Sequence, residues 1–188
     1  MNRVAIVGAG LVSSLGNDLE TVSDSLKNGK SGIDVNQSFI DHGLRSHISG
    51  QVESERANNM DRKVRRFMGE GAAWAHVAME DAFEMSGLTQ EQLSAESTML
   101  MVGSGGIDSS DLVEALEVLD KSGIRRVGPY RVTREMASSV SATLATNFKI
   151  KGPSFSISSA CATSAHCIGM GYQQIKMGLQ NVVVAGGI

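Results

Sequence analysis

The stretch Ser154-Phe155-Ser156-Ile157-Ser158-Ser159-Ala160-Cys161-Ala162-Thr163-Ser164-Ala165-His166-Cys167, with its continuation to Gly187, decides the fold. Ser154 to Ser158 alternates small polar and apolar residues, the period of a half-buried strand. Cys161, Ala165, Ile168, Tyr172, Ile175 and Leu179 then recur every three or four residues, one stripe of a helix whose first turn carries Cys161. Gly178 lies near the helix end, and Val182 to Ala185 reads as another strand. Strand, helix and strand in succession predict an α/β fold with a mostly parallel sheet.

The rest of the chain follows the same grammar. Arg3 to Val7 reads as a buried strand ending in a Gly8-Ala9-Gly10 turn. Leu19, Val22 and Leu26 mark a short amphipathic helix closed by Gly29. Residues 30–60 are polar with few periodic apolar positions, an irregular excursion; the Asn36-Gln37-Ser38 sequon within it reads as loop. A long helix is expected from about Asp61 to Ser86, stopped by Gly87. Thr89 and Gln92 form a capping-box pattern. Thr98 to Val102 is a strand that enters the loop Gly103-Ser104-Gly105-Gly106. Leu112, Ala115, Leu116 and Leu119 mark a helix stopped by Gly123, and Thr133 is placed to cap a helix carrying Met136, Val140 and Leu144.

Composition bounds the function. The 188 residues make roughly one domain at about 150 residues each. Lys+Arg is 17 against 20 Asp+Glu, which argues against a generally basic nucleic-acid binder. Two Cys exclude a disulfide scaffold, and no apolar run of about 18 residues predicts a membrane span. The apolar N-terminus is broken by Gly8 and Gly10 and is not expected to be a signal peptide; the chain reads as cytoplasmic.

Two nucleotide motifs fail. After Gly8 and Gly10 the third glycine of a dinucleotide fingerprint would fall on Ser13, and a P-loop ending at Gly29-Lys30-Ser31 would need Gly where Asp24 stands. The four His form no metal-ligand spacing, so no metal is expected. Cys161 is different. A thiol at a helix N-terminus meets unpaired N–H groups and a positive dipole end, which favour thiolate, and its own N–H could face a developing oxyanion. Its neighbours Ser159, Ala160, Ala162 and Ser164 are small enough to admit a substrate. The local sequence equally allows a small buried residue, since free Cys is among the most buried types. A Cys161–Cys167 disulfide is excluded, because six helical residues rise about 9 Å and a bridge spans at most roughly 7 Å.

The segments Val4–Gly16, Asp61–Met68, Gly103–Gly106, Val127–Gly152, Ser156–Gly169 and Val182–Gly187 together resemble the N-terminal half of a β-ketoacyl-[acyl-carrier-protein] synthase, most like the bacterial type I enzyme. The resemblance runs over residues 1–188, and SSACATSAHCIG is its most specific part. It implies a thiolase-like fold in which two similar α/β halves build an αβαβα core, usually in a homodimer. It implies that Cys161 is the acyl-accepting nucleophile. It implies that acyl chains arrive on the phosphopantetheine of acyl carrier protein, with no other cofactor, and that malonyl-carrier protein supplies the attacking carbanion. Two His and a Lys of the family's C-terminal half have no counterpart in these residues, so the isolated chain is expected not to condense. A non-catalytic copy that binds carrier protein or an intact synthase is the alternative.

The resemblance also places Gly105, Ala160 and Met136 near an acyl pocket, Met136 reaching toward a partner subunit; ordinary packing explains all three equally well. Arg62, Lys63 and Arg66 match carrier-protein docking positions, as does Arg125. A dense basic run is otherwise most often a solvated helix face. Glu135 stands where a small residue is common, so chain-length preference stays open.

Overall fold

The computed structural model describes residues 2–188. Asp18 caps α1 (Leu19–Lys27) by accepting the Thr21 N–H. A hairpin follows, β1 (Ile33–Val35) pairing antiparallel with β2 (Ile48–Gly50) around the short helix α2 (Gln37–Asp41). Asn36 is the N-cap of α2, not a loop residue, and its amide also reaches Ser49. The expected irregular excursion is therefore ordered. Three-residue strands and a five-residue helix are too short to leave a periodic signal.

Next come α3 (Glu55–Asn58), α4 (Arg62–Arg65) and α5 (Glu70–Ser86). The long helix predicted from Asp61 is thus broken at Arg66–Gly69. Asp61 caps the first piece, and Gly69 starts the second in an extended conformation. The Arg65 guanidinium donates to the Met68 and Gly69 carbonyls, which closes the break. Gly87 ends α5 at φ 67°, in the left-handed region where a residue without Cβ fits. The capping box at α6 (Gln90–Leu93) forms as expected.

β3 (Thr98–Gly103) is the central strand, and all six of its residues are buried. α7 (Ser109–Ser122), α8 (Ile124–Val127), α9 (Arg131–Glu135) and α10 (Ser139–Asn147) precede β4 (Ser154–Phe155). Thr133 caps no helix. Its hydroxyl donates to the Tyr130 carbonyl inside α9, and Met136 is extended, so the expected single helix is two. The strand expected over Ser154–Ser158 pairs only at its first two residues. The Ser156 hydroxyl donates to the Val102 carbonyl.

A 3-10 turn, Ala160–Ala162, leads into α11 (Thr163–Lys176), and β5 (Val182–Gly187) closes the sheet, with order β4-β3-β5, all parallel. The pleat sends alternate β3 side chains to opposite faces. Leu100 and Val102 pack with Ala72, Ala73 and Val77 of α5 and with Val140 and Leu144 of α10. Met99 and Met101 pack with Cys167 of α11. The result is one α-β-α sandwich, as the α/β reading expected.

One expectation fails here. Arg3 to Val7 is not a strand among the described residues, and Ile6 is 89% exposed. β4 and β5 pair only with β3, so the segment finds no ladder, and Gly8 and Gly10 lie instead against the Ala82 and Ala78 carbonyls of α5. α11 buries Thr163, Cys167 and Gly171, a face about 120° round the helix from the apolar stripe. Gly171 sits against Val183 and Ala185. Ile168, Tyr172 and Leu179 are left exposed.

His76 of α5 is buried against the Phe148 ring, with Glu80 at 3.4 Å. Burial lowers its pKa from 6.5, and the Glu80 carboxylate opposes this. The unfolded chain then binds a proton below about pH 6.5 that the native state refuses, so stability falls as pH drops through that value. Thermal melts at pH 7.5 and 5.5 are expected to differ less in a His76→Gln variant than in the parent. Equal differences would refute the assignment.

Candidate active site at the strand ends

The carboxyl ends of β3 and β5 converge on the Cys161 turn. A Cβ on Gly103 would stand 1.9 Å from the Ile157 carbonyl oxygen and 2.7 Å from Thr163 Cγ2. A Cβ on Gly187 would meet Ser164 Oγ at 2.8 Å, and one on Gly105 would meet the Ala160 carbonyl oxygen at 3.0 Å. The Ile188 N–H donates to the Gly103 carbonyl and the Gly105 N–H to the Ile188 carbonyl, which joins the two strand ends. Glycine is thus used where backbone meets backbone. Open parallel sheets bind ligands at this end.

Cys161 itself is exposed, while Cys167, six residues on, is fully buried. The burial alternative therefore belongs to Cys167. Cys161 also lies one turn earlier than expected, in the 3-10 turn and not in the first turn of α11. Ala160, just before it, has φ 48°. An L-residue held there costs roughly 1–2 kcal/mol, so the turn is strained where the thiol is presented. No hydrogen bond to the Cys161 sulfur forms among the described residues. His166 pairs with Ser159, Oγ to Nδ1 at 2.7 Å.

Gly105 and Met136 both line a cleft of about 650 Å³ with Leu11, Trp74, Ile107 and Ile188. Ala160 lies behind Gly105, outside that lining, and Cys161 does not open into it. The three pocket candidates thus fall into two neighbouring pairs joined at Gly105.

Arg62, Lys63, Arg66 and Arg125 are all exposed, and none forms an ion pair among the described residues. Arg66 lies over the Phe67 and Tyr130 rings, 5.5 and 5.7 Å from their centroids, and those rings meet edge to face. This contact ties the basic helix α4 to the segment that follows Arg125. Arg65 of the same run turns inward, and burial pushes its guanidinium pKa down.

One charged network went unseen in the sequence. Buried Asp111 accepts from Arg131 at 2.8 Å and Arg134 at 3.1 Å, and Arg131 also holds Glu114 at 2.6 Å. The Arg131 bond holds the Glu114 carboxyl below its usual range. Its members sit 17 to 23 residues apart, beyond any local spacing rule. The network pins α9 to α7.

Parallel strands flanked by helices, with an exposed cysteine at the strand ends, define an α/β sandwich with a candidate thiol site at its carboxyl edge. A solved β-ketoacyl synthase from Burkholderia phymatum STM815 superposes with a TM-score of 0.84 at 24% identity, over 98% of this chain and 46% of that one. The model of the β-ketoacyl synthase N-terminal domain matches residues 1–188, and the chain belongs to that family. It is 49% identical over its whole length to 3-oxoacyl-[acyl-carrier-protein] synthase 1 of Haemophilus influenzae, covering 46% of that protein. It is 46% identical to the enzyme of that name from Escherichia coli K12, covering 47%. The chain spans about half the length of the curated relatives it matches.

Proposed function

We propose that this chain is the acyl-accepting part of a β-ketoacyl-[acyl-carrier-protein] synthase serving fatty acid synthesis in the cytoplasm, working as a homodimer. The observation that carries the reading is Cys161, exposed on a strained turn where the sheet's strands end. The Cys161 sulfur attacks the thioester carbonyl of an acyl chain on carrier-protein phosphopantetheine. The carbonyl carbon becomes tetrahedral, its bond to the phosphopantetheine sulfur breaks, and that sulfur leaves as a thiol with the proton Cys161 gave up. The products are an acyl-Cys161 thioester and free carrier-protein thiol.

The second stage, decarboxylation of malonyl-carrier protein and attack of its carbanion on that thioester, needs groups for carboxylate departure and oxyanion binding. Among the described residues no side chain hydrogen-bonds Cys161, and its own N–H serves only the oxyanion part of that need. The 188-residue chain alone therefore accepts an acyl group and does not condense. The test is intact-mass and peptide mapping after incubation with acyl-carrier protein. One acyl group on Cys161 is expected. No adduct, or an adduct elsewhere, overturns the reading, and β-ketoacyl product from the chain with malonyl-carrier protein overturns the restriction to acylation.

The carrier is an acidic protein, and Arg62, Lys63, Arg66 and Arg125 are the surface proposed to receive it. Reversing Lys63 and Arg66 to Glu is expected to raise the carrier-protein Kd roughly tenfold at low salt and less in 0.5 M salt, since exposed pairs are screened. Titration calorimetry at both ionic strengths checks it, with melting temperature as control because Arg66 also packs on Phe67 and Tyr130. An unchanged Kd removes these residues from docking.

A further inference from the structure

Ser159 is held at three points, and the holding groups bracket Cys161. Its N–H donates to Thr163 Oγ1 at 2.9 Å. Its carbonyl accepts the Ala162 N–H at 3.1 Å. Its hydroxyl pairs with His166 Nδ1 at 2.7 Å. Thr163 is itself fixed: it is 2% exposed, and its Cγ2 lies against the glycines that end β3 and β5. His166 lies one turn further along α11, on its exposed side.

The Ser159–His166 pair is exposed, so water would satisfy both groups if the pair were absent. Satisfying buried polar atoms does not account for it. What distinguishes the pair is what it spans. The segment between Ser159 and Thr163 contains Ala160 at φ 48° and the exposed thiol. Left free, Ala160 would relax to negative φ, and the direction of Cys161 would change with it. Bonds from α11 to Ser159 oppose that relaxation.

We propose that Ser159, Thr163 and His166 form a clamp that holds the Cys161 turn in its strained, presenting conformation, with Ser159 and His166 as positioning residues for the thiol. The inference rests on the reading of Cys161 as acyl acceptor, but the clamp has its own readout. Ser159 and His166 touch neither the thiol nor, in this reading, the acyl group. They act by fixing the backbone on either side of it.

The experiment is alkylation of the 188-residue chain by iodoacetamide, followed residue by residue by mass spectrometry. Buried Cys167 reports unfolding within the same peptide. Ser159→Ala and His166→Gln are each expected to slow Cys161 alkylation about threefold or more, the scale of one net hydrogen bond. The double variant should be no slower than either single. His166→Asn, whose amide reaches the Nδ1 position, should keep the parent rate, whereas Gln places its polar atoms one bond further out. Ala160→Gly, which relieves the strain, should make His166→Gln harmless. Equal rates for the Asn and Gln variants, or additive singles, overturn the clamp. So does an unchanged Cys161 rate in every variant with Cys167 still protected. If Cys167 reacts in a single variant, the Cys161 rates of the Asn and Gln variants are compared over the folded fraction that Cys167 protection reports, by the same criterion. Absence of acyl transfer from carrier protein with the clamp pattern intact would overturn the acyl-acceptor reading and leave the clamp standing.

Discussion

Cys161→Ser is expected to abolish acyl transfer from carrier protein, a fall on the order of 10³-fold or more, while the melting temperature stays put. A serine hydroxyl is a weak nucleophile unless a base removes its proton, and no side chain hydrogen-bonds position 161 among the described residues. Because Cys161 is exposed, its replacement disturbs no packing, and the stability change should stay within about 0.5 kcal/mol. Cys167→Ser should do the reverse. That side chain is fully buried against Met99 and Met101, and a hydroxyl there costs roughly 1–3 kcal/mol. Its acyl transfer per folded molecule should match the parent. The readouts are the acyl mass increment on Cys161, release of carrier-protein thiol, and a thermal melt. Acyl transfer that survives Cys161→Ser, or is lost only in Cys167→Ser, would place the nucleophile elsewhere.

The pair of cysteines also shows how much of this site could be read from sequence. Position 161 followed a strand and opened a helical stripe, so a candidate nucleophile near the strand ends was legible. Which cysteine was buried was not, because a stripe of period 3.6 marks an apolar face without naming its neighbour. Cys161, Ala165, Ile168 and Tyr172 make the apolar stripe, and the sheet takes the face of Thr163, Cys167 and Gly171 beside it. Small residues allow that close approach, and propensity scales give them little weight. The sandwich was legible for a related reason: β3 is a run of buried apolar residues between turn signals, the mark of a central parallel strand. The break at Arg66–Gly69 was not, since Arg65 closes it through main-chain carbonyls that no side-chain pattern reports. The Ser159–His166 pair and the Asp111 network join residues through tertiary contact, and spacing carries no trace of either.

Gly103→Ala is expected to destabilise the chain by more than about 3 kcal/mol, among the largest effects of any single methyl group in it. Gly103 ends β3 in register with Gly187 of β5. Its added Cβ would stand 1.9 Å from the Ile157 carbonyl oxygen, where ordinary contact needs well over 3 Å. Neither neighbour can step aside cheaply. Ile157 is backbone leading into the Cys161 turn, and Thr163, at 2.7 Å, is buried and bonded to Ser159. Relief must come from moving β3 away from the turn, which opens the bond from the Ile188 N–H to the Gly103 carbonyl and withdraws support from Cys161. Gly106→Ala, three residues on, is the matched control. Nothing lies within 4 Å of a Cβ there, and that glycine is not among those with left-handed φ. Its urea midpoint should equal the parent's or rise slightly, because Ala narrows the unfolded ensemble. Similar midpoints for the two variants would show that the strand end and the cysteine turn are not in backbone contact. The geometry that presents Cys161 would then have to come from the turn alone.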